Sequence, residues 1–318
     1  MNKKKTFLFF GFGEGSEYVL KPLYEYMVKN KHYCIEIDMM KTLKAKEIIK
    51  SLRGKDIVFI TSAHLFMDQK NFSPYYQDGE IISALEVIEY LKPVKCIYYP
   101  HDLVTPVLPQ DLKWLSLFDV FLSPLPNLSH LRRYSDVIEV GWIKKTKETS
   151  SSDFYGAREL RVAFSMSSIG YYFRLGYEKT YDVWEPLFKE GIGIKLPFWP
   201  GVKPFEEFLA QKGVTIYPSN MNIFDLIDNN DVIVTNTTTS VTIEAALSGR
   251  MVLNVLDGVV TEREQRDYAM GLPSVSTCSL EDCITAIRNV RKGLRNVDNY
   301  KQILRPFNFE LASQILLK

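Results

Sequence analysis

The sequence predicts an α/β protein made of two doubly wound parallel sheets joined by a short linker, and three observations predict it. Apolar runs rich in Val, Ile, Phe and Tyr recur between amphipathic stretches, the alternation expected of βαβ units. That alternation breaks off in the polar, serine-rich stretch KKTKETSSSDFYGARE and then starts again. At 318 residues, with 46% hydrophobic and 13% aromatic content, the chain can bury a core in each half.

In the first half, segments 6–10, 33–38, 56–61, 94–99, 120–123 and 137–140 read as strands of one sheet. After the polar break, segments 161–165, 193–197, 214–217, 231–236 and 251–256 read as strands of a second. Segments 178–189, 204–211, 240–247 and 282–295 read as helices, and 299–318 as helical apart from Pro306. The expected division is an N-terminal Rossmann-like domain over 1–145, a linker over 146–159 and a C-terminal Rossmann-like domain over 160–298. The helix over 299–318 is then placed to return to the N-terminal domain. Two such sheets in tandem leave a cleft facing the carboxyl ends of both sets of strands, where ligands bind in folds of this kind.

Composition narrows the function. Lys plus Arg number 39 and Asp plus Glu 38, a net charge of +1, so no global field recruits nucleic acid or acidic lipid. An anionic ligand must be held locally. Cys34, Cys96, Cys278 and Cys283 match no zinc or redox spacing and read as reduced core thiols. No run approaches the 18 to 20 or so apolar residues of a membrane span, so a cytoplasmic enzyme is expected. Its Lys- and Arg-bearing helix at 282–295 could touch the inner face of a membrane peripherally, although a solvated helix face is the simpler account. No Asp-x-Asp pair stands in a suitable loop, and metal independence is expected.

The segment DNNDVIVTNTTTSVTIEAALSGRMVLNVLDG carries most of the chemistry: a strand, a hydroxyl-rich turn, a helix, a glycine stop and another strand. Thr237, Thr238, Thr239 and Ser240 fall where the turn becomes a helix, so N–H groups and hydroxyls can converge on an anion there. Read alone, Ser240 is simply an N-cap. Glu244, one turn on and on the same face, is placed to accept hydrogen bonds from a ribose diol. Gly249 takes the C′ position.

This block resembles the second domain of GT-B glycosyltransferases and their relatives, in which a Ser/Thr or Gly turn leads into a helix containing Glu-Ala, then Gly and a hydrophobic strand. The resemblance covers 231–255 closely and the two-domain plan loosely. It implies that Thr238, Thr239 and Ser240 hold the donor phosphates and Glu244 the ribose. Where that family commonly has Pro after the Gly, this chain has Arg250 and Met251. The block is also similar to CDP-glycerol glycerophosphotransferases, which use histidines in both halves. Here His32, His64, His101 and His130 all precede the linker, so that mechanism does not carry over whole. UDP-N-acetylglucosamine 2-epimerases share the fold and the Glu-bearing helix, but their opening Gly-Thr-Arg-Pro-Glu motif is missing.

Further donor-side candidates are Ser167 and Ser168, in the loop after the first strand of the second domain, and Tyr217 and Ser219, in the region that usually lines the base in such folds. Lys195, Phe198 and Lys203 flank a proline-rich loop where a cation can offset diphosphate charge, though a solvated lysine is the simpler account. On the acceptor side, Gly11, Gly13 and Gly15 form a loop after the first strand that permits close backbone approach, with Glu14 and Glu17 placed to orient or deprotonate a hydroxyl. Read as a dinucleotide fingerprint, the same loop with Asp38 predicts an NAD(P)-binding oxidoreductase, against which Glu14 would repel a pyrophosphate. His101, emerging after the fourth strand beside Asp102, is the leading general base, and His64, after the third, is the alternative. His32 and His130 read as surface residues.

The expected function is glycosyl transfer from a nucleotide-activated sugar to a glycan or lipid-linked acceptor, in bacterial surface polysaccharide or glycoconjugate synthesis. A polyol-phosphate transferase or a sugar-nucleotide epimerase of the same fold is the alternative.

Overall fold

The computed structural model describes residues 5–11, 13–38, 42–62, 82–103, 112–126, 128–147, 160–167, 174–198, 201–237, 239–255, 274–291 and 303–318. The chain divides into two compact units, Met1–Thr146 with Arg305–Lys318, and Lys147–Leu304.

In the first unit, β1 (Thr6–Gly11), β2 (Cys34–Asp38), β3 (Ile57–Thr61), β4 (Lys95–Tyr98), β5 (Val120–Ser123) and β6 (Asp136–Glu139) form one parallel sheet in the order β2-β1-β3-β4-β5-β6. The helices α1 (Gly13–Lys29), α2 (Thr42–Ser51) and α3 (Ala84–Leu91) connect its early strands. Every residue of β1 is buried, as befits a strand covered on both faces. Its side chains alternate: Leu8 and Phe10 join Phe59 and Tyr98 against Ile49 of α2 and Val87 of α3, whereas Phe9 meets Tyr24 of α1 edge-on at 5.5 Å.

The second unit repeats the plan. Its elements are β7 (Val162–Ser165), α4 (Tyr177–Lys189), β8 (Gly193–Lys195), α5 (Lys203–Gln211), β9 (Ile216–Tyr217), α6 (Ile223–Asn229), β10 (Val232–Thr235), α7 (Ser240–Leu247), β11 (Met251–Val255), β12 (Val275–Cys278) and α8 (Leu280–Arg291). The parallel sheet runs β12-β11-β10-β7-β8-β9. Phe164 and Trp184 meet at 4.7 Å in its core. The strand β12 is one more than the sequence pattern predicts. Its sequence VSTC exposes Ser276 and Thr277 at the sheet edge, so it carries no apolar run to detect. The helix expected from 282 begins at Leu280, because Ser279 caps it.

The stretch 299–318 is helical only in α9 (Phe309–Leu317). Residues 303–308 are not helical, and Pro306 bridges to Trp142, since a proline has no N–H to continue a helix. Asn308 starts α9 by accepting the Leu311 N–H at 2.9 Å. The helix belongs to the first unit: Phe309 stacks on Tyr26 at 5.4 Å, and Lys5 and Lys95 donate to the carbonyls of Leu317 and Ile315 in its last turn. Gly141, at φ 81°, lets the Pro306 carbonyl occupy the space a Cβ would fill. No helix among the described residues is long and apolar enough to cross a membrane.

Candidate functional site

In the second sheet the chain winds outward from β7 through β8 to β9, then resumes at β10 on the other side of β7. The reversal lies between β7 and β10, and it is at the carboxyl ends flanking such a reversal that open parallel sheets bind ligands. The two strands are tied together there. The Ser167 N–H donates to Asn236 Oδ1 at 2.7 Å, and the Asn236 amide donates back to the Ser167 carbonyl at 3.3 Å. The hydroxyls of Ser167 and Thr239 lie 3.3 Å apart. Beneath them, the Thr235 hydroxyl donates to Asn254 Oδ1 of β11 at 2.9 Å, and the Thr242 hydroxyl donates to the Thr237 carbonyl at 3.1 Å. Thr235, Asn236, Thr242 and Asn254 are all fully buried, so this network fixes the turn and the start of α7 against three strands.

Thr239 is the N-cap of α7, and its N–H donates to Thr242 Oγ1 at 3.2 Å; Ser240 is the first helical residue. The helix ends in a Schellman arrangement, with Gly249 at φ 80°, Gly249 N–H on Ala246 O and Arg250 N–H on Ala245 O, each at 3.0 Å. Arg250, where the resembled family commonly has Pro, is buried and donates to the Asp228 carbonyl at the end of α6 at 3.0 Å. Glu244 is 1% exposed, so its carboxylate reaches a ligand only if something covering it moves.

Of the other donor-side residues, Tyr217 ends the edge strand β9, with its ring over Gly193. Ser219 is held through its carbonyl, which accepts the Lys195 ammonium at 3.0 Å. Lys195 is thus a buried strand-end residue that anchors the β9–α6 turn, not a solvated loop cation; Phe198 and Lys203 are exposed. Thr238 and Ser168 lie outside the described residues.

In the first unit, His101 and Asp102 follow β4. His101 Nε2 lies 3.1 Å from Asp102 Oδ2, and the other ring nitrogen, Nδ1, is buried. Burial and the Asp102 charge push the Tyr98 phenol well above its usual range. The expected acceptor loop is corrected: Gly13, Glu14, Gly15 and Glu17 form the opening turns of α1, and only Gly11 remains outside, as the last residue of β1, paired opposite Asp38. Three glycines in five residues signal a loop because each weakens a helix by about 1 kcal/mol, but here the helix already begins at Gly13. His64 lies outside the described residues. Among those residues, no three His, Cys, Asp or Glu gather to hold a metal ion.

Sequence reasoning missed Thr235, Asn236, Thr242 and Asn254. The signal was present: Asn254 interrupts the apolar strand MVLNV, and a polar residue in a buried strand demands a partner.

No protein-family model and no curated protein matches the chain. Solved structures do. A Listeria monocytogenes protein provisionally assigned as a UDP-N-acetylglucosamine 2-epimerase superposes with a TM-score of 0.57 at 14% identity, over 100% of this chain and 95% of its own. The wall teichoic acid polymerase TagF gives 0.58 at 13%, over 99% and 88%. The Methanocaldococcus jannaschii UDP-GlcNAc 2-epimerase, solved with UDP-GlcNAc and UDP, gives 0.53 at 13%, over 98% and 99%. The chain has the GT-B fold shared by these proteins.

Proposed function

We propose that this chain transfers a glycosyl group from a nucleotide-activated donor, bound by the second unit, to an acceptor hydroxyl. The observation that carries the proposal is the buried network at the β7–β10 reversal. It holds the start of α7 rigid in a fold that the M. jannaschii protein uses with UDP-GlcNAc and UDP. In this reading Ser167, Ser168 and residues Thr237 to Ser240 surround the donor diphosphate, helix-start N–H groups stabilise it as it leaves, and no metal is needed. Glu244 takes the ribose, and Tyr217 and Ser219 line the base.

The acceptor proton goes to His101. Asp102, 3.1 Å from Nε2, orients the ring. His64 and Glu14 are the alternative bases, and the β1–α1 corner at Gly11, with Gly13, Gly15 and Glu17 in the opening turns of α1, faces the acceptor. A glycan or lipid-linked acceptor in bacterial surface polysaccharide synthesis, met at the cytoplasmic side of a membrane, completes the reading.

The likeness to TagF favours polyol-phosphate transfer as the second reading. It is separated from sugar-nucleotide epimerisation by whether turnover needs an acceptor.

Thermal shifts against UDP, CDP, GDP, CMP and NAD(P) test the proposal, because a ligand that binds only the folded chain raises its melting temperature. A rise with one nucleoside diphosphate that is lost in Glu244→Ala supports the donor site and identifies the base. A rise with NAD(P) alone, lost in Asp38→Ala, overturns it.

A further inference from the structure

At the far edge of the second sheet, two cysteines occupy a position normally filled by a pair of apolar side chains. Ser279 caps α8: its hydroxyl accepts the Asp282 N–H at 3.0 Å and donates to Asp282 Oδ2 at 2.8 Å, while the Cys283 N–H reaches the Ser279 carbonyl at 2.9 Å. Cys278 therefore stands just before the cap and Cys283 fourth in the helix. These are the two positions whose side chains meet as a hydrophobic staple. In this chain both are free thiols: Cys283 belongs to the apolar cluster of the second unit and Cys278 packs against that cluster, with no disulfide between them. Cys278 is half-buried, and Cys283 is sealed in the core.

We propose that Cys278 and Cys283 form a reversible dithiol–disulfide modification site, oxidised by a low-molecular-weight disulfide of the glutathione type. The Cys278 thiolate attacks one sulfur of the small disulfide, whose S–S bond breaks to release one small thiol and leave a mixed disulfide on Cys278. Cys283 then loses its proton and attacks the Cys278 sulfur, releasing the second small thiol. Two protein S–H bonds and one small-molecule S–S bond are lost. One protein S–S bond and two small-molecule S–H bonds are gained. The order follows from access, and the hydrogen bond to Cys278 together with burial holds the Cys283 thiol protonated far above the usual range. Once formed, the link joins the edge strand β12 to the first turn of α8. The other two thiols, Cys34 and Cys96, lie on β2 and β4, where burial raises them to about 11 and about 12.

The test uses the full native chain, exposed to oxidised glutathione, alkylated and cut with trypsin; both cysteines fall in the single peptide 267–288. The expected product is that peptide without alkylation and about 2 Da lighter than its dithiol form, since disulfide formation removes two hydrogens, with both alkylation sites recovered after reduction. In Cys283→Ser the reaction should stop at a glutathione adduct on Cys278. The proposal is overturned if the wild-type peptide keeps a stable glutathione adduct or emerges alkylated on both thiols. The wild-type readout needs no variant to fold.

Discussion

The carboxyl edge of the second unit's sheet is a buried polar network, in which Asn236 grips the Ser167 backbone and Thr235 is bonded to Asn254. The matching edge of the first unit is largely aromatic. Tyr99 stacks on Trp142 at 5.8 Å, its hydroxyl donates to the Gly141 carbonyl and accepts the Ile143 N–H, and the partly exposed His101–Asp102 pair lies just beyond. Two sheets of the same size thus set their edges by different means. Bonded amides and hydroxyls hold backbone donors in one geometry, which suits an anionic group held without net positive charge. A half-exposed histidine beside a carboxylate suits a proton that must come and go.

If the division of labour holds, His101→Ala lowers turnover by about 100- to 10,000-fold and leaves the nucleotide-induced thermal shift in place; losing both together would break the comparison. Gly141→Ala puts a Cβ against the Pro306 carbonyl at a left-handed φ. It should cost roughly 2–5 kcal/mol, read by urea unfolding, with hydrogen exchange rising in α9 and not in α7. Asn254→Leu removes the acceptor of the Thr235 hydroxyl and should cost about 1–3 kcal/mol, with the faster exchange now in α7 and β10. Tyr99→Phe sharpens the contrast at the small end. It deletes one hydroxyl between two backbone groups and should cost about 1 kcal/mol, with nucleotide binding unchanged.

The fold was legible where burial is two-sided. The strand β1 carries the apolar run Phe7 to Phe10 and the central β10 the run Val232 to Val234, all buried, and their sequences leave little else to be. Legibility failed at the margins. The strand β12 is half-exposed, and Gly13 and Gly15 read as a loop although α1 absorbs them. At the candidate site, the hydroxyl-rich turn and the helix at 240–247 could be read from spacing, because caps and stops are local chemistry. The pairing of Ser167 with Asn236, 69 residues apart, could not, since it depends on β7 and β10 becoming neighbours.

The return of 305–318 to the first unit has a consequence for synthesis on the ribosome. All of the second unit is translated before α9 emerges, so it can complete its sheet while the first unit still lacks its last helix. Until then the aromatic surface of Tyr26, Tyr99 and Trp142 stands uncovered by Phe307 and Phe309, a greasy seam exposed to chaperones and to neighbouring nascent chains.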